Sequence, residues 1–420
     1  MRKLCVAAIL AVMLVGCADT GPVAPKEGRI SIGNRANRLV VEEDTLSVSQ
    51  SAVVKNWSAL YANERNNRLH VKMVQNPKLT HTVSIGQGVA DSALTLAGPV
   101  VVGNTIYTLD GDFVLQATDL KSAKSLWRKK VADIQNTSVK SISLTRNRDR
   151  LYAVAGNGLI IATDFKGNKI WEKDLKSILR SSATVDNGRL YVSSVDNHFF
   201  VLDIQKGDIL WDYEEKSITT NFFGVGTPAV FETVVVVPTT NGRVNAFDTA
   251  TGVMLWTDNM WTGKTNNPLL DMTHITAAPV IENKTVYLVG NAGKTGAYRL
   301  SDGTPLFTLG VGGRETPVVS GDALFLLSNQ NKLMALNKQR GSKYWEADLS
   351  AIGKGRTWFG PVLVNGELVL TSSEGDIVFF NAKTGKEVRH EKQDKLIGAP
   401  VFAKNTMLLL TTKGDMLFYQ

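Results

Sequence analysis

Chemistry in a protein needs nucleophiles, acid–base pairs or metal ligands within reach of one another, and this 420-residue chain offers few such sets. Its five histidines, His70, His81, His198, His274 and His390, are scattered, with no i, i+4 pair and no H-x-H spacing. Neither a zinc site nor a histidine-activated nucleophile has a footing there. No G-x-S-x-G elbow occurs. The glycine clusters Gly224-Val225-Gly226 and Gly310-Val311-Gly312-Gly313 stand among β-branched runs with no following helix to bind phosphate, and they read as turns. Both cysteines, Cys5 and Cys17, fall near the N-terminus, so the rest of the chain has no disulfide and no thiol.

What the chain repeats is a phrase of architecture. An acidic or amide residue is followed by a glycine and then a tryptophan, as in Asp164 to Gly167 to Trp171, Asp203 to Gly207 to Trp211, and Asp248 to Gly252 to Trp256. Weaker copies run from Asp119 to Trp127 without the glycine, Arg299 through Gly303 to Phe307, Asn337 through Gly341 to Trp345, and Asn381 through Gly385 to Arg389. The spacing is about 40 to 50 residues, a period that marks an array of like units. Two short β-branched runs precede each phrase, joined by turn pairs such as Asp110-Gly111, Asn157-Gly158, Asn187-Gly188, Asn241-Gly242 and Asn365-Gly366. Such pairs tolerate positive φ and close antiparallel hairpins. Proline opens six units (Pro99, Pro228, Pro279, Pro317, Pro361, Pro400), as suits a first strand residue that owes no donor to the ladder.

Four antiparallel strands at this period describe a β-propeller blade, and the chain is an all-β protein of this kind. In the phrase, the Asp or Asn fixes the turn, the glycine supplies positive φ, and the tryptophan returns on the outer strand. Trp127, Trp171, Trp211, Trp256 and Trp345 are therefore assigned as structural seam residues, each burying about 150 to 250 Å². Seven units are complete, and an eighth starts at Pro400 and stops after three strands. A run at His81-Thr-Val-Ser-Ile-Gly86 supplies the missing outer strand, with His81 in the tryptophan position. The expectation is an eight-bladed ring of four-stranded blades closed by an N-terminal strand; a seven-bladed ring would leave the C-terminal run orphaned.

Met1-Arg2-Lys3 followed by an apolar run through Val15 has the pattern of a signal peptide, too short for a standard membrane span. The run ends in Leu14-Val15-Gly16-Cys17, which resembles the lipobox of bacterial lipoproteins, in which the cysteine is lipidated and becomes the first mature residue. Alanine at position 18 favours outer-membrane sorting by the same resemblance. The expected organisation is a signal peptide over 1–16, a polar tether over 17–55 and the propeller over 56–420. Residues 56–80, with Trp57, are expected along the propeller surface as helix or coil. The formal charge of +8 is spread without a basic face carrying stacking aromatics, so no nucleic-acid partner is indicated.

The phrase around Ala246-Phe247-Asp248 to Trp256 resembles the tryptophan-docking repeat of quinoprotein dehydrogenases, which implies a propeller holding pyrroloquinoline quinone. Many of those enzymes set the quinone against a vicinal cysteine pair with calcium nearby, and this chain has no cysteine in its blades. Lipobox, tether and eight blades together resemble the BamB family of the outer-membrane β-barrel assembly machinery, and the stretch around Gly28-Arg-Ile-Ser-Ile32 and Trp57 resembles its alphaproteobacterial form. That resemblance implies a non-enzymatic scaffold without cofactor or metal, lipid-anchored through Cys17 at the periplasmic face of the outer membrane. Its implied partners are the barrel-inserting subunit BamA and unfolded outer-membrane proteins. It also implies partner contacts from two interblade loops, 220–224 with Phe222 and Phe223, and 270–276 with Asp271 and His274. The adjacent phenylalanines suit binding anchors, or equally side chains tucked into the blade core.

Overall fold

The computed structural model describes residues 39–86, 88, 98–133, 142–215, 224–261 and 274–420. These residues form eight four-stranded antiparallel sheets. Blade 1 runs over Val100–Lys130, blade 2 over Ile142–Asp174, blade 3 over Thr184–Glu214 and blade 4 over Ala229–Asn259. Blade 5 spans Val280–Leu309, blade 6 Val318–Asp348 and blade 7 Trp358–Lys392. Blade 8 combines Val401–Ala403, Thr406–Leu410 and Asp415–Tyr419 with the N-terminal strand Leu79–Ser84. Strands are called A to D from the axis outward. The A strands touch those of neighbouring blades, B and C are almost wholly buried, and D faces solvent.

The hairpin signals form as their residues dictate. Asn187 and Gly188, and likewise Asn365 and Gly366, all have positive φ, as a two-residue turn of matching twist demands. Five of the six prolines immediately precede an A strand, while Pro361 lies inside Trp358–Val364. There the pairing register shifts between Phe359 and Val362, so no ladder donor is missed.

The repeated phrase acts across blades. Asp164, Asp203 and Asp248 each accept backbone N–H bonds from two nearby residues of their own turn. The glycine of that turn, however, lies against the tryptophan of the preceding blade: Gly207 on Trp171, Gly252 on Trp211, Gly303 on Trp256 and Gly385 on Trp345. The indole Nε1 then donates to a carbonyl of the same following turn, as Trp171 does to Ile204 at 3.0 Å and Trp345 to Ala382 at 3.0 Å. Each tryptophan thus fastens its blade to the next. In every blade the D strand carries one extra residue beside this position, for example Leu210 between Trp211, opposite Val201, and Ile209, opposite Leu202.

Closure repeats that register. His81 stands opposite Phe418 and Leu79 opposite Tyr419, with Thr80 as the extra residue, so His81 holds the place that Trp127 holds opposite Ala117. Joining the chain ends this way removes the free edge of blade 8.

The segment before the closing strand is more firmly placed than a tether would be. From Leu39 on, the span expected to hang free to residue 55 packs on the ring. Glu42 N donates to Lys343 O at 2.7 Å, Leu46 is buried, and Ala52 pairs with Val71. The reason is backbone satisfaction: A-strand inner edges and one D-strand edge need partners, and this segment supplies them. Residues 56–78 then cross one end of the ring without helix, making only isolated bridges.

Candidate functional site

The ring has two unlike ends. A–B and C–D turns lie at one end, the turn end; B–C hairpins and the loops between blades lie at the other, the loop end. Residues 47–73 bond to A–B turns or their flanks, with Asn56 Oδ1 accepting from Gly103 N, Val54 O from Lys404 N and Ser47 O from Asp322 N. His70 Nε2 accepts from Gly366 N at 2.8 Å. The segment therefore covers the turn end.

Two of its side chains fasten several blades at once. Asn66, 1% exposed, directs its amide nitrogen at the carbonyls of Thr227, Pro228 and Pro279, from 3.0 to 3.2 Å, joining blades 4 and 5. Arg68, 3% exposed, donates from Nη1 to Pro361 O at 2.9 Å and lies over the Tyr61 ring at 4.8 Å. Glu315, from the loop between blades 5 and 6, accepts from Gly360 N at 3.1 Å. Burial pushes the Glu315 carboxyl up to about 7, against the pull of the Gly360 N–H and the Arg68 charge. Desolvation also raises the Tyr61 phenol and lowers the Arg68 guanidinium. Tyr61, Arg68 and Glu315 thus tie the N-terminal segment to the A strand of blade 7 and to the loop before blade 6. Sequence reasoning missed this set; its one visible signal was the polar run Asn63-Glu64-Arg65-Asn66-Asn67-Arg68, which has no periodicity to interpret.

At the loop end, the bases of the two loops singled out in the sequence meet. Gly226 N donates to Ile275 O at 2.8 Å, and Thr276 Oγ1 donates to Arg314 O at 3.0 Å. The loop after blade 3, the loop after blade 4 and the loop after blade 5 therefore share one hydrogen-bonded base. His274 belongs to that base: it is 1% exposed, and burial, helped by the Arg314 charge, lowers its pKa to about 4. Its ring sits inside the protein. Phe222, Phe223, Asp271 and Cys17 lie outside the described residues. The five seam tryptophans sit where the sequence put them, each on a D strand.

A quinone with calcium does not fit these residues. Among the described residues no three His, Cys, Asp or Glu side chains are grouped to hold a metal ion, and the blades carry no cysteine. One buried carboxylate, Asp376, is saturated within its own blade by Arg356 Nε at 2.7 Å, His390 Nε2 at 2.9 Å, Lys392 Nζ at 3.1 Å and the Ser372 hydroxyl. Burial opposes its ionisation, but these four partners hold its pKa well below the carboxylate range.

Fold and site together define an eight-bladed propeller whose turn end is covered by its own N-terminal segment and whose interblade loops form a shared base at the other end. Comparison with known proteins agrees. The family described as "Outer membrane protein assembly factor BamB" matches residues 111–347 and 332–420, and the chain belongs to that family. The BamB protein of Yersinia pestis is 24% identical over 353 residues, covering 81% of this chain and 88% of the relative. The crystal structure of BamB from Moraxella catarrhalis superposes with a TM-score of 0.69 at 18% identity, covering 82% of this chain and 99% of that one. The quinohemoprotein alcohol dehydrogenase of Comamonas testosteroni superposes with a TM-score of 0.65 at 11% identity, covering 88% of this chain and 81% of that one; this likeness shows the fold alone.

Proposed function

We propose that this protein is a non-catalytic scaffold of outer-membrane protein assembly, anchored by lipid on Cys17 to the periplasmic face of the outer membrane. Membership of the BamB family carries this reading. The loop end binds the barrel-inserting subunit BamA, with Phe222, Phe223 and Asp271 at the contact and His274 fixing the loop base beneath them. In the same role the protein assists insertion of unfolded outer-membrane proteins. Among the described residues no helix is long and apolar enough to cross a membrane.

The decisive experiment is a pull-down of the tagged protein from detergent-solubilised envelopes. Wild type is expected to bring down the barrel-inserting subunit. Phe222→Ala with Phe223→Ala is expected to lose most of it while keeping the far-ultraviolet circular dichroism of the wild type. Cys17→Ser is expected to leave the membrane fraction. Equal recovery by the double variant would remove the loop-end contact, and recovery of no assembly component by wild type would overturn the whole reading.

A further inference from the structure

The inner strand edge of blade 3 is left open, and a cavity stands over it. In blades 1, 2, 4 and 5 the same A-strand N–H, pointing away from strand B, is taken by a carbonyl of the N-terminal segment. Val101 N bonds Trp57 O, Arg146 N bonds Ser58 O, Val230 N bonds Glu64 O and Ile281 N bonds Arg65 O, at 2.8 to 3.0 Å. Pairing register identifies the blade 3 counterpart as Val185, which stands opposite Leu190 as Val101 does opposite Ile106 and Val230 opposite Val235. Between Ser58 and Glu64 the segment passes blade 3 by. Val185 N has no hydrogen-bond partner among the described residues, and Val185 is half-buried where Val101, Val230 and Ile281 are fully enclosed.

The gap is a cavity of about 560 Å³ between the segment and blades 2 and 3, lined among others by Ser58, Glu64, Arg146, Arg148, Val185 and Asp186. It is polar and carries charge of both signs. Arg146 is committed, donating from Nε to Ser58 Oγ at 3.1 Å, and burial lowers its pKa. Across from it, Asp186 is held above the usual carboxylate range by burial and then by the Glu64 charge. Arg65 Nε lies 3.5 Å from Glu64, yet both carboxylates stay partly exposed, and their mutual repulsion favours a further cation while the vacant N–H favours a carbonyl.

We propose that the open inner edge of blade 3 binds an extended peptide from another protein, with a peptide carbonyl on Val185 N–H and a basic side chain between Glu64 and Asp186. The occupant follows from the neighbouring blades, where main-chain carbonyls fill the same position, and from the paired carboxylates, which complement a lysine or arginine. Strand-edge addition supplies the main-chain bond and the acids supply the selectivity. The site lies at the turn end, away from the interblade loops, and does not depend on what those loops bind.

The test uses the full-length protein and a blocked, fluorescein-labelled hexapeptide, Thr-Val-Lys-Val-Thr-Val, followed by fluorescence polarisation. Wild type is expected to bind, and replacing the peptide lysine by glutamate is expected to abolish binding. Val185→Pro deletes the edge N–H, which an edge strand tolerates, while trimming a side chain packed on the seam of blades 2 and 3, and should weaken binding about tenfold, as should Asp186→Asn, which leaves that packing intact. Hydrogen exchange supplies a second reading that needs no variant: the Val185 amide should gain protection when the peptide is added. Failure of wild type to bind, binding that is indifferent to both substitutions, or an unchanged Val185 exchange rate in the bound state would overturn the proposal. Pull-down of the barrel-inserting subunit is expected to be unaffected by Val185→Pro, which separates this site from the loop end.

Discussion

A glycine in one blade answers to a tryptophan in the blade before it, and blade 7 allows that coupling to be measured. Gly385 has φ of +69°, and a Cβ built there would lie 2.4 Å from Cε3 and 2.6 Å from Cδ2 of Trp345. Gly366, in the same blade, has φ of +81° with nothing within 4 Å of the added atom. Gly366→Ala therefore meets only the left-handed backbone cost of about 1 to 2 kcal/mol. Gly385→Ala meets that cost and also overpacks a ring held by its bond to Ala382 O, adding about 1 to 3 kcal/mol, so the total is about 2 to 5 kcal/mol. Relief comes from removing the ring. In a Trp345→Ala background, Gly385→Ala should fall back toward the cost seen at Gly366, a coupling of about 1 to 3 kcal/mol in a double-mutant cycle. The assay is urea unfolding of the four proteins and the Gly366→Ala control, followed by circular dichroism. Equal costs at Gly385 and Gly366 to within about 0.5 kcal/mol, or a coupling of zero, would refute the cross-blade role. The ring already contains a natural parallel: the turn of blade 1 follows His81 instead of a tryptophan, and there the glycine position holds Ala123 at φ of 56°.

Three further outcomes follow from the buried polar groups. Asn66→Ala leaves the carbonyls of Thr227, Pro228 and Pro279 without their shared donor and should cost about 1 to 3 kcal/mol in urea unfolding; a change below about 0.5 kcal/mol would count against Asn66 as a fastener of blades 4 and 5. Asp376→Ala strands Arg356, His390 and Lys392 around an empty position and should cost about 3 to 5 kcal/mol, whereas a surface-like cost under about 1 kcal/mol would mean that solvent already serves those side chains. His274 and Glu315 should give pH profiles of opposite sign. For His274 the folded pKa of about 4 lies below the ordinary 6.5, so the unfolded chain binds the proton first and stability falls as pH drops from 6.5 toward 4, by about 3 kcal/mol. For Glu315 the folded value of about 7 lies above 4.5, so its contribution is complete below 4.5 and is lost as pH rises through 7. Urea midpoints of wild type against His274→Asn and against Glu315→Gln, taken at pH 4.5, 6 and 7.5, should diverge in those two directions. Parallel profiles would refute both assignments.

How much was legible can be followed through particular residues. The blade count came from local signals: Asn365-Gly366 needs positive φ whatever surrounds it, and a period of β-branched runs names a strand array without any contact being known. His81 was readable as the closing member because its run had the strand pattern and the eighth unit lacked one strand. By contrast, Asp248, Gly252 and Trp256 read as a single unit along the chain, while in space Gly252 serves Trp211 and Trp256 is served by Gly303. Sequence adjacency concealed a partnership offset by one blade.

The candidate site divides in the same way. The loops 220–224 and 270–276 were found through family resemblance, and the contact between their bases, Gly226 with Ile275, appeared only in three dimensions. His274 was expected among contact residues, yet it is 1% exposed and its ring lies inside the protein, since burial is a property of the packed ring and leaves no mark on the type of one residue. Asn66 and Arg68 showed only as part of a polar run, and Glu315 not at all, because a side chain that bonds the backbone of distant blades obeys no period.

By itself the sequence determined the class of fold, the eightfold repeat, the closing strand and the tryptophan seams, all of which depend on residue types within a few positions of one another. Tertiary structure alone decided that the segment from Leu39 to Met73 covers the turn end, that Asn66 and Arg68 fasten it to blades 4, 5 and 7, and that blade 3 keeps an open inner edge. Those features depend on which backbone donors remain unsatisfied once the ring is closed, and that remainder exists only after every blade is in place.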